Sequence, residues 1–139
     1  MEITMRYMML VYSTEGPDGL TPEEDARIRA GHRKVMEEAT RKRVLVGAEP
    51  LAPTSTATTV RMQDGKAQVM DGPFAETKEH LAGYYIIDCE NLDEAIEWAA
   101  KIPTECQGNQ GCIEIRPMRW QPSRAEPETI AENSASLNA

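Results

Sequence analysis

The chain predicts an α+β fold: a ferredoxin-like subunit in the order βαβ, hairpin, βαβ, with an antiparallel sheet and both helices on one face. Three observations carry this. Two capping-box signatures, Thr21-Pro-Glu-Glu24 and Asn91-Leu-Asp-Glu94, each open a segment of helical periodicity. Each such segment lies between short apolar runs of strand length. Between the two halves, Asp64-Gly65 joins two strand-like runs, a strong hairpin signal.

The first strand is read at Met5 to Tyr12, a continuous apolar and aromatic run that ends at turn residues. Its unbroken apolar character suggests burial on both faces. The first helix starts with Thr21 as cap and Pro22 at the first helical position, and runs to about Arg43. Ile28, Val35, Met36 and Ala39 form its apolar stripe, with His32 on that inner face or at its margin. The cations Arg41-Lys42-Arg43 suit a solvated helix end. Val44 to Leu51 supplies a short second strand. In the hairpin, a two-residue turn places Met62 opposite Ala67 and Val60 opposite Val69.

Gly83 to Cys89 is the next strand. The second helix runs from Asn91 to about Ile102, with Leu92, Ala95, Ile96 and Ala99 inward and Pro103 as its stop. A loop from Thr104 to Gly111 leads to a last strand at Cys112 to Met118. There Ile113 and Ile115 point one way, Glu114 and Arg116 the other. The sheet face away from the helices would carry Tyr7 or Met8, alternate residues of the strand ending at Cys89, and Glu114 with Arg116. A face that mixes aromatics with charges is neither fully solvated nor a plain core. It predicts a second subunit packed sheet to sheet, a homodimer with a polar-lined cavity between.

With 139 residues the chain fits one domain, read here as 1–120, followed by a polar tail at 121–139 that is expected to be mobile. The formal charge of −8 argues against non-specific nucleic-acid binding. No run of apolar residues is long enough to cross a membrane, and no signal-peptide pattern is present, so a cytoplasmic protein with reduced thiols is expected. The three cysteines, Cys89, Cys106 and Cys112, form no metal or disulfide pattern, and Cys89 reads as a buried thiol. Two histidines without matching carboxylate spacing indicate no zinc or non-haem iron site, and no phosphate-binding glycine motif occurs. No cofactor is expected.

Chemistry concentrates in Asp71-Gly-Pro-Phe-Ala-Glu-Thr-Lys-Glu79, which runs through His80 into the strand Gly83-Tyr-Tyr-Ile-Ile87. A plain loop needs turn residues only, whereas this one adds Glu76, Lys78 and Glu79. The opening Met-Arg-Tyr-Met-Met-Leu strand, this block, Leu81-Ala-Gly-Tyr-Tyr85 and Gly111-Cys-Ile-Glu-Ile-Arg-Pro-Met118 together resemble the YCII-related family in its DGPF branch, over about Met5 to Trp120. The resemblance implies a dimeric α+β barrel and a cleft built around a His and an Asp. Related barrels host isomerases, dehalogenating lyases and monooxygenases that work without a bound metal. The resemblance also implies an association with sigma factors, beside which members of this branch are often encoded.

On these grounds His32 is the candidate proton shuttle, since imidazole titrates near neutrality, with a satisfied core histidine as the alternative. Asp71 either orients His32 or acts as base, or else serves only the turn. Gly72 and Pro73 are conformational, and Phe74 either walls a pocket or anchors the core. The family places the block beside the cleft, so Glu79 and Lys78 are candidate cleft-lining residues. His80 is expected mainly at the surface. Arg116 either pairs with Glu114, Glu79 or the other subunit, or anchors a substrate carboxylate. Tyr7 and Tyr84 either direct hydroxyls into the same cavity or pack as core aromatics.

Two functions compete. One is a cofactor-independent isomerase or lyase that acts through His32 and Asp71 on a small polar or aromatic molecule. The other is a non-catalytic small-molecule-binding or regulatory module linked to a sigma factor.

Overall fold

A computed structural model describes residues 4–15, 20–104 and 111–119. The tail expected at 121–139, Cys106 and most of the loop before Gly111 lie outside the described residues.

The elements follow the expected order: β1 (Met5–Ser13), α1 (Pro22–Arg41), β2 (Leu45–Pro50), a short 3-10 turn (Thr54–Thr56), β3 (Thr58–Gln63), β4 (Lys66–Asp71), β5 (His80–Cys89), α2 (Leu92–Lys101) and β6 (Gly111–Pro117). Both helix starts work through side-chain caps. Thr21 Oγ1 accepts from the Glu24 backbone N–H at 3.1 Å, and Asn91 Oδ1 accepts from that of Glu94 at 2.9 Å. Each bond satisfies an amide that the first helical turn leaves unpaired. The Glu94 carboxylate reaches back to the Glu90 N–H at 2.7 Å, which completes the second start.

The main sheet has the strand order β2-β5-β1-β6, with every neighbouring pair antiparallel. That order, with two helices, is the ferredoxin-like α+β arrangement. The β3–β4 hairpin forms a separate two-stranded ribbon, paired Val60 to Val69 and Met62 to Ala67 as the turn requires. Asp64 and Gly65 take φ of 51° and 77°, the left-handed values that a two-residue primed turn demands.

Alternation sorts β1 and β5 cleanly. Tyr7, Met9, Val11 and Ser13 point toward the helices and are buried, as are Gly83, Tyr85, Ile87 and Cys89 opposite them. From the helices, Val35, Ala39, Ala95 and Trp98 join the same core. Cys89 is the buried thiol that its place on the strand predicted.

Three expectations are corrected. Among the described residues, β1 is buried on one face only: Arg6, Met8, Leu10 and Tyr12 are partly exposed, and no described element packs over their side. Met8, not Tyr7, therefore belongs to the uncovered face. On α2, Leu92 and Ile96 are exposed while Trp98 is buried. The helix is rotated so that its largest ring fills the core, and burying an indole contributes more than burying either aliphatic chain.

Candidate functional site

α1 lies across the sheet with His32 on its inner side, one turn before the buried Val35. β5 aims Tyr85 at the same place, between Met9 of β1 and Ala48 of β2. His32 Nδ1 and the Tyr85 hydroxyl oxygen stand 2.5 Å apart. The two rings lie 20° from parallel with centroids 5.8 Å apart. His32 is half-buried, while Tyr85 is almost fully so.

Burial sets the charge state of both groups. Desolvation disfavours the imidazolium and lowers the His32 pKa below its ordinary value. The same cause pushes the Tyr85 phenol up to about 12. At neutral pH the pair is an uncharged imidazole beside a protonated phenol. One hydrogen lies between them. If the phenol donates it to Nδ1, Nε2–H points outward. If Nδ1–H donates to the phenol oxygen, Nε2 becomes a free base and the phenol proton is left to donate elsewhere.

Gly83, two residues before Tyr85 on the same face, lets β2 come close. A Cβ there would sit 2.8 Å from the Glu49 carbonyl oxygen and 3.2 Å from Pro50 Cα. Any side chain would push β2 away from the strand that carries Tyr85.

The sheet divides the residues that the sequence singled out. His32 and Tyr7 lie on the helix side, Tyr7 within the core. Tyr84 and Arg116 belong to the opposite, uncovered face. Arg116 Nη1 lies 3.9 Å from Glu114 Oε1, a loose and exposed pair. Glu79 reaches the same uncovered side, where its Oε2 accepts from Cys112 Sγ at 3.6 Å. Desolvation, and then the Glu79 carboxylate, raise the pKa of that thiol.

Asp71 and Lys78 are exposed, Asp71 at the end of the ribbon opposite Thr58. Phe74 is 72% exposed and is no core anchor. The hydrogen-bond partner that His32 meets is thus a tyrosine hydroxyl, while Asp71 is exposed at the end of the ribbon. His80 begins β5 opposite the buried Ser13, half-buried and within electrostatic reach of Glu15. Glu15 in turn accepts from the Thr54 backbone N–H at 3.0 Å and from its hydroxyl at 2.6 Å. These bonds tie the segment after β2 to the end of β1, and the hydroxyl bond lowers the Glu15 pKa.

Tyr85 is the residue that reading the sequence missed. The signal was present: Tyr85 shares strand parity with Cys89, so a buried Cys89 places Tyr85 toward the helix that carries His32.

The YCII-related domain matches residues 5–120. The chain is 38% identical over 115 residues to the uncharacterized protein R00369 of Rhizobium meliloti (strain 1021), covering 82% of this chain and 92% of that protein. A domain match over most of the chain and a relative aligned over nearly its whole length point the same way: the chain belongs to the YCII-related family.

Proposed function

We propose that His32 and Tyr85 form the proton-transfer pair of a small cofactor-independent isomerase or lyase. The observation that carries this reading is the short His32–Tyr85 contact between two groups that burial holds neutral. With Nδ1–H donated to the phenol oxygen, Nε2 is a base and the Tyr85 O–H an adjacent acid. Such a pair suits removal of a proton next to a carbonyl, with the phenol bonded to the oxygen on which charge develops. The sheet keeps Arg116 and Glu114 on its other side, so the substrate class is an uncharged or weakly polar carbonyl compound. Asp71, on the exposed ribbon, has no part in this step.

The test is deuterium exchange by proton NMR over a panel of small enolisable ketones, lactones and unsaturated carbonyls. Wild type should accelerate exchange for at least one, and Tyr85→Phe or His32→Gln should each slow it by about 10²-fold or more. Exchange with no member of the panel, or exchange that survives both substitutions, would sink the reading and favour a binding or regulatory role.

The working unit in this reading is a homodimer, with uncovered face against uncovered face. Met8, Leu10, Tyr84 and Ile86 make the apolar centre of that face, flanked by the Arg6–Asp88 ion pair at 2.9 Å. Sedimentation should give twice the chain mass, and Ile86→Glu should return a monomer. A wild type that sediments as a monomer would remove this part of the proposal.

A further inference from the structure

Among the described residues, the four most exposed large apolar side chains are Phe74 at 72%, Met62 at 69%, Val69 at 65% and Val60 at 58%. All four lie on the β3–β4 ribbon or the turn that follows it. Pairing puts Val60, Val69, Met62 and Ala67 on one side of the ribbon as a continuous apolar face. Neither strand packs substantially on the other described elements. A two-stranded ribbon in water is marginal by itself, and a concentrated apolar patch marks an interaction surface.

We infer that the β3–β4 ribbon and the Phe74 turn are a clasp that packs its apolar face on a second copy of this chain. The inference rests on the homodimer reading and extends it. Area is one argument. Four strands at about 4.8 Å spacing and about 26 Å mean length give the uncovered sheet face a footprint of about 500 Å². A stable interface takes about 800 Å² of accessible surface from each partner. The sheet face thus supplies part of what a pair needs, and the ribbon, which leaves the sheet beside its edge strand β2, supplies more.

Charge is the second argument. Two copies at −8 each repel, so they must meet where net charge is lowest. Residues 58–71 carry two cations, Arg61 and Lys66, against two carboxylates, Asp64 and Asp71, a net of zero. On the sheet face Arg6 pairs with Asp88 and Glu114 with Arg116, while Glu49 and Glu79 add carboxylates, so the ribbon is the less charged of the two surfaces.

The experiment is hydrogen exchange of the ribbon amides over a dilution series of the full chain, with sedimentation of wild type and of the double variant Val60→Ser/Val69→Ser. Both positions are solvent-facing, so the variant should keep its fold by circular dichroism, and Phe74→Ser provides a second variant outside the ribbon. The expected result is ribbon protection that falls as the dimer dissociates, with a dissociation constant raised about tenfold or more in either variant. A dimer of unchanged affinity in both variants would overturn the clasp and leave the sheet-to-sheet dimer standing. A monomer at every concentration overturns both. Slow exchange independent of concentration means that the chain covers its own ribbon. Fast exchange within an intact dimer leaves the face for a different partner. Either result refutes the clasp.

Discussion

The two faces of the main sheet come from the same strands and meet opposite fates. Toward the helices, β1 and β5 present Tyr7, Met9, Val11, Tyr85, Ile87 and Cys89, all buried. Away from them, the intervening Met8, Leu10, Tyr84 and Ile86 stay partly exposed despite similar apolar character. Residue type therefore does not decide burial here. What decides it is whether a described element covers the face, and both helices lie on one. The covered face brings two polar groups, His32 and Tyr85, within hydrogen-bond distance. The uncovered face carries a close Arg6–Asp88 pair at 2.9 Å and a loose Glu114–Arg116 pair at 3.9 Å.

The largest expected effect separates the faces directly. Ile87 has no exposed surface, so Ile87→Ala should cost about 2–5 kcal/mol in urea unfolding. Its neighbour Ile86, on the other side of the strand, should cost about 1 kcal/mol in the dissociated subunit. Equal losses at the two positions under dilute conditions would erase the distinction.

Gly83→Ala comes next. Its Cβ would meet the backbone of β2 rather than a side chain able to move, and a cost of about 1–3 kcal/mol is expected. The same change should disturb the His32 imidazole signal, because Tyr85 is carried on that strand. Destabilisation with an unaltered imidazole would show that the site does not depend on this strand contact.

The pH response is smaller and has two limbs of known sign. His32 has a folded pKa below its unfolded value near 6.5. Its neutral form therefore contributes stability that is present above pH 6.5 and lost as pH falls through the lowered folded value. Tyr85 has a folded pKa of about 12 against an ordinary value near 10. Its contribution is present below pH 10 and lost as pH rises toward 12. Thermal unfolding from pH 5 to 11 should show both declines, with the alkaline limb reduced in Tyr85→Phe and its remainder carried by the Cys89 thiol, which burial likewise pushes up to about 12. An unchanged alkaline limb in that variant would remove Tyr85 as its source. The acid limb should survive that substitution, since burial rather than the phenol lowers the histidine.

The smallest effect belongs to the uncovered face. Glu114→Gln breaks an exposed pair whose atoms are 3.9 Å apart, and the melting temperature of the subunit should barely move, within about 0.5 kcal/mol. A loss above 1.5 kcal/mol would mean that a partner covers this margin and that the pair works in a drier setting.

Much of this architecture was legible in residue order alone. The two capped helices, the Asp64-Gly65 hairpin with its register, and the inward Ile113 and Ile115 all follow from local rules, because caps, turns and strand alternation depend on neighbours within a few residues. His32 was legible as an inner-face histidine for the same reason. Its partner was not. Helical spacing says which way His32 points but not which strand it meets, and Tyr85 is far from it in sequence. Asp71 drew notice through the company it keeps in the chain, yet the hairpin carries it onto an exposed ribbon. Local sequence thus determined the elements and the parity of each side chain. Tertiary structure alone decided which elements face one another, because that depends on how two helices and four strands share one core. It was this sharing that placed a phenol against the imidazole, left Phe74 exposed, and put both helices on one face of the sheet.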